Sequence, residues 1–173
     1  VHRGTDNAVN HIGGIGTIHI ADPLLLETTF GHSGQLILPA GKRLWAPASL
    51  TLTSGWFRLS QEGFALKVAG DVTVSGPDTR LEIGGSTNLY RGVFRHIYAE
   101  GTVPKFSSGG DLTLTNGARF FAYAGIGDEE GCGLRVDIGG DVRIATNCWI
   151  HPLSHPTNGG SLLMTMANLT IGG

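Results

Sequence analysis

One short phrase recurs along this chain, and it constrains the fold more than any other feature. Phe64 to Val74 reads FALKVAGDVTV, Lys105 to Leu114 reads KFSSGGDLTL, Leu134 to Ile144 reads LRVDIGGDVRI, and Leu162 to Ile171 reads LLMTMANLTI. A weaker copy, ASLTLTSG, begins at Ala48. Each copy is an alternating strand, a corner of small residues, one polar residue and a second alternating strand. The polar residue falls at Ser49, Asp71, Asp111, Asp141 and Asn168, in steps of 22, 40, 30 and 27 residues. A recurring corner at uneven, coil-sized spacing predicts stacked coils whose turns carry insertions, the longest from Glu82 to Pro104. Alternate Val, Leu and Ile residues then point inward, and no coil can bury them without its neighbours. The expected fold is all-β, a right-handed parallel β-helix of about five to seven coils, at the repeat lengths typical of solenoids.

Composition supports this. Only 15% of the 173 residues are charged and 28 are glycine, as expected for strands punctuated by tight turns. Glycine at the corners is expected for the backbone angles it permits. The net charge is −2 and there is no basic run, which argues against a nucleic-acid partner. No apolar run approaches the roughly 20 residues of a membrane-spanning helix. Residues 1–47 fit the register poorly and read as an irregular opening coil or cap, and 48–173 as the repeated coils, together one module. Val1 opens without a leader and Ile171-Gly172-Gly173 stops bare, so the module reads as excised from a larger secreted protein.

Several constellations carry possible chemistry. The column Asp71, Asp111, Asp141, with Asn168 in register, reads either as a carboxylate cluster for calcium or polysaccharide cleavage, or as corner chemistry in which a short side chain accepts a backbone N–H. Ser49 and Asn168 cannot act as acids in the same slot, which favours the second reading. Inverting hydrolysis would require Asp71 and Asp111 about two coils apart, since its carboxyl groups stand roughly 6.5–9.5 Å from each other. His151 and His155 lie about 13 Å apart on an extended strand, too far for one metal. Asp128-Glu129-Glu130 reads as a solvated loop tip with a weak calcium alternative. Cys132 and Cys148 either bridge or pack as two small hydrophobes. There is no Gly-x-Ser-x-Gly elbow and no P-loop, so no catalytic set emerges and the chain is read as a non-enzyme without a cofactor.

The strongest functional signal is an outward row of aromatics and arginines. Ungapped alignment of the strands puts Phe120 beside Ile150, pointing in, and Arg119, Phe121 and Tyr123 beside Trp149, His151 and Leu153, pointing out. One coil back, with a one-residue shift, sit Trp56 and Arg58, with Arg80 and Glu82 between. The long insertion adds Tyr90, Arg91 and Tyr98, placed to overhang this face. Sugar rings stack on such aromatics while arginine and histidine take their hydroxyls. Coils about 4.8 Å apart would offer one ring per coil to an extended glycan. The alternative is that the aromatics only pack.

The stretches SSGGDLTLTNGARFFAYAG and VDIGGDVRIATNCWIHPLSHPTNGGSLLMTMANLTIGG resemble a β-helical carbohydrate-binding module attached to xylan-degrading enzymes of gut bacteria. They also resemble glycine-rich solenoid segments of large bacterial surface proteins. The resemblance covers roughly Ala48 to Gly173. It implies a secreted or cell-surface protein that binds a plant cell-wall polysaccharide, with linked catalytic domains as partners. Its second form implies a structural adhesin segment; a polysaccharide lyase or hydrolase is the third alternative.

Overall fold

The computed structural model describes residues 5–6, 11–12, 17–19, 28–37, 44–59, 64–90, 93–98, 105–124, 133–154 and 161–173. Side chains are described for 28–31, 44–59, 64–84, 105–122, 133–153 and 161–173. All regular structure among these residues is strand. In the opening segment β1 (Thr5–Asp6) and β2 (His11–Ile12) form an antiparallel pair, while β3 (Thr17–His19) lies parallel to β4 (Thr29–Ile37).

The repeated units follow. The first holds β5 (Leu44–Trp45) and β6 (Leu50–Leu59), and the second β7 (Ala65–Val68), β8 (Val72–Ser75) and β9 (Arg80–Ile83). The long insertion supplies an antiparallel hairpin, β10 (Gly85–Tyr90) and β11 (Val93–Tyr98). Then come β12 (Lys105–Ser108), β13 (Leu112–Thr115) and β14 (Arg119–Ala124). The fourth unit holds β15 (Leu134–Ile138), β16 (Val142–Ile144) and β17 (Trp149–Ser154), and the last β18 (Leu162–Thr165) and β19 (Leu169–Ile171).

Units stack through three parallel ladders. The first runs β5, β7, β12, β15, β18. The second starts from the beginning of β6 and continues through β8, β13, β16 and β19. The third starts from the end of β6 and continues through β9, β14 and β17. β6 belongs to two ladders because it turns a corner within one strand: Leu50 to Leu52 face β8, and Trp56 to Leu59 face β9. Gly55, at φ 99°, takes the bend in a backbone region that costs other residues dearly. The opening segment joins the stack as well, since β4 runs parallel to β6. That part of the expected irregular cap is therefore an extension of the parallel sheet.

Alternation fills the interior as the sequence requires. Leu66, Phe106 and Val136 line up on the first ladder, Val72, Leu112 and Val142 on the second, and Leu81 and Phe120 on the third; all are buried. Two buried hydroxyls find backbone acceptors. Ser108 donates its hydroxyl to the Gly70 carbonyl at 2.6 Å, and Thr79 donates to that of Ser75 at 2.6 Å.

The Gly-Gly-Asp corner has a cause other than the expected one. None of Gly109, Gly110, Gly139 and Gly140 has a positive φ. What excludes a side chain is the coil before. A Cβ at Gly139 would stand 2.7 Å from the Gly109 carbonyl oxygen, and one at Gly109 would collide with the Ala69 carbonyl. At Gly110 and Gly140 it would collide with the carboxylates of Asp71 and Asp111. Backbone bonds lock the corner in both directions, Gly110 N to Gly70 O at 3.1 Å and Val72 N to Asp111 O at 2.8 Å.

Candidate functional site

The outer face of the third ladder carries the row read from the sequence, in the expected register. Trp56 pairs with Arg80, Arg80 with Arg119, and Arg119 with Trp149. In the next column Arg58 pairs with Glu82, Glu82 with Phe121, and Phe121 with His151. Phe120 is fully buried and Ile150 packs against the core, so their neighbours Phe121 and His151 point outward.

The two ends of this face differ. At the β14–β17 end Trp149 is 56% exposed, and Arg119, Phe121 and His151 are partly open. The rings form a continuous surface: Phe121 stacks on His151 with centroids 4.7 Å apart, and Trp149 on His151 at 6.0 Å. At the β6–β9 end the side chains close on one another, with Trp56 and Arg80 remaining partly open. Trp56 donates its indole N–H to Glu82 Oε2 at 2.8 Å and carries the Arg58 guanidinium 4.5 Å, and that of Arg80 5.5 Å, from its ring centroid. Arg58 and Glu82, 3.4 Å apart, are each only 2% exposed. The expectation that Arg58 offers its guanidinium to a ligand is thereby corrected: it points outward from the strand but is covered. Burial pushes the Glu82 carboxyl up from its ordinary value and the Arg58 guanidinium down, each partly offset by the other's charge. Sequence reading placed Glu82 between the arginines but missed its role; its opposite charge, in register with Arg58, was the available signal.

Of the other expected site residues, Tyr90 and Tyr98 lie at the ends of β10 and β11, and Tyr123 lies on β14, with side chains outside the described residues. Arg91 lies outside the described residues altogether, as do His155, Cys132 and Asp128 to Glu130. β10 follows β9 directly and starts beside the end of β6. Cys148 is buried, with no disulfide partner among the described residues.

His151 responds to its surroundings. Burial, and then the nearby Arg119 charge, lower its pKa from the ordinary value. The unfolded chain therefore takes up the proton first, at about pH 6.5. The stability His151 confers is whole above that pH and declines as pH falls through the lowered folded-state value. Melting temperatures from pH 7.5 to 5 should fall more steeply for the parent chain than for His151→Gln; parallel curves would contradict the assignment.

The Asp column resolves as corner chemistry. Asp71 Oδ1 accepts the backbone N–H of Asp111 at 2.9 Å, and Asp111 Oδ1 accepts that of Asp141 at 2.8 Å. Asn168 closes the series by donating its amide to Asp141 Oδ1 at 2.8 Å. Arg143 bridges Asp111 and Asp141, holding the Asp111 carboxyl below the usual carboxylate range. Asp71 and Asp111 lie on adjacent coils, not two coils apart, which removes the spacing an inverting pair would need. Among the described residues no three His, Cys, Asp or Glu side chains gather to hold a metal ion. No family model matches the chain, and neither a curated protein nor a solved structure matches it.

Proposed function

We propose that this chain is a right-handed parallel β-helix serving as a non-catalytic carbohydrate-binding module, secreted or held at a cell surface, for a β-linked plant polysaccharide, with xylan as the first candidate. The observation that carries the reading is the open ring surface of Phe121, His151 and Trp149, flanked by Arg119 and spread over two adjacent coils. Flat C–H faces of sugars would stack there, and the arginine would take hydroxyls. The twisted, soluble xylan chain suits an uneven platform better than a flat crystalline one. Catalytic domains linked to the module would gain local concentration on their substrate.

Affinity gel electrophoresis over a panel of soluble glycans tests this, and no retardation by any glycan would remove it. Trp149→Ala should weaken binding by about 1 kcal/mol or more, the order of an aromatic pair contact. Arg119→Ala should weaken it while leaving the melting temperature nearly unchanged.

A structural solenoid segment is the second reading, and the closed end favours it, because Trp56, Arg58, Arg80 and Glu82 are engaged with one another. A glycan that raises the melting temperature by mass action supports the binding module; if no sugar does, the structural reading stands.

A further inference from the structure

The outer face of the first ladder carries a second row. Lys67, Ser107, Asp137 and Thr165 follow one another in strict register across four coils. They form one wall of a groove of about 460 Å³, and the corner residues Ala69, Gly109 and Gly139 form the other. The groove follows from the corner chemistry. No side chain can stand at Gly109 or Gly139 without striking the preceding coil, so nothing fills the trough beside the polar row.

Its charges are not all spoken for. Asp137 is held by Arg135 at 3.0 Å and by the Thr165 hydroxyl at 2.8 Å. Asp111 and Asp141 lie beyond the corner, tied to Arg143. Lys67 lines the groove and Lys105 lies on the same face one coil on; both are exposed, and neither has an anionic partner among the described residues. Lys67 in the groove and Lys105 beside it thus stand without an anionic partner among the described residues, and the hydroxyls of Ser107 and Thr165 lie two coils apart, about 9.6 Å at the strand spacing. An extended peptide would seek a sheet edge and pockets for alternate side chains, and this trough on a sheet face provides neither.

We propose that this groove binds an acidic glycan chain of the uronate type, running along the stack with carboxylates on Lys67 and Lys105 and hydroxyls against Ser107 and Thr165. The site is separate from the aromatic face and stands or falls independently of it.

Mannuronate-rich alginate, its propylene glycol ester and poly-glutamate are the probes, used at low and raised salt in affinity gels and titration calorimetry. Alginate should retard the chain, raised salt should weaken the effect, and the ester should not bind. Lys67→Gln/Lys105→Gln should bind alginate at least about tenfold less tightly, the size of one charge-assisted hydrogen bond, with an unchanged melting temperature. Trp149→Ala should bind it as the parent does, whatever its effect on neutral glycans. The proposal is overturned if alginate does not bind, if the double variant binds it equally well, if Trp149→Ala abolishes the binding, or if poly-glutamate binds as tightly as alginate.

Discussion

Replacing Phe106 by Ala should lower the unfolding free energy by about 3–5 kcal/mol, the cost of a large-to-small change at a site that cannot collapse. Phe106 is fully buried on β12, with Leu66 and Val136 in register on either side. Its ring meets Phe120 edge to face, with centroids 5.7 Å apart at an interplanar angle of 78°. Deletion therefore removes apolar contact to both neighbouring coils and an aromatic pair worth about 0.5–1.5 kcal/mol beyond its area. Because stacked units are stabilised by nearest-neighbour interfaces, a cavity in the middle unit weakens two of them together. Chemical denaturation of Phe106→Ala beside Phe106→Leu measures the effect. A loss below about 1 kcal/mol for the alanine variant would show that the interior is loose and that native-like packing does not hold there.

Glu82→Ala should be nearly as damaging, for an electrostatic reason. It leaves the Arg58 guanidinium 2% exposed with no counter-ion, and breaking a buried pair from one side costs about 3–5 kcal/mol. The cost is heightened because, among the described residues, Arg58 Nη2 finds no hydrogen-bond acceptor and Glu82 Oε1 no donor. Removing both charges together should recover most of the loss, since apolar residues of similar volume often replace a buried pair without penalty. Urea titration of Glu82→Ala, Arg58→Met and the double variant Arg58→Met/Glu82→Leu gives the comparison. If the double variant is no more stable than Glu82→Ala, the pair is not energetically coupled and its burial is incidental. The indole of Trp56, hydrogen-bonded to Glu82, offers a local fluorescence reading of the same event.

The same pair marks the difference between the two ends of the outer face. A row of alternating aromatics and arginines looks uniform in sequence, yet Trp149 is exposed while Arg58, three coils away in the stack, is covered. Alternation determines whether a side chain points in or out. It is silent on whether an outward residue is then covered.

The sequence by itself determined the unit, its strands and their register. The corner residue at Asp71, Asp111, Asp141 and Asn168 fixes the alignment, and period-two alternation then separates Phe120 and Ile150 from Phe121 and His151. The polar corner was legible too, because Ser49 and Asn168 tolerate the slot only if it accepts or donates hydrogen bonds rather than protons. Tertiary structure alone decided three things. β6 reads as one continuous strand, but it folds across two ladders at Gly55, because the ladders of neighbouring units meet there at an angle. The corner glycines look like turn residues, yet their need for a bare Cα arises from the carbonyls and carboxylates of the preceding coil, which is distant in sequence. The burial of Arg58 with Glu82, both on the outward side of their strands, arises from tertiary packing around them, which leaves no period in the sequence to be read.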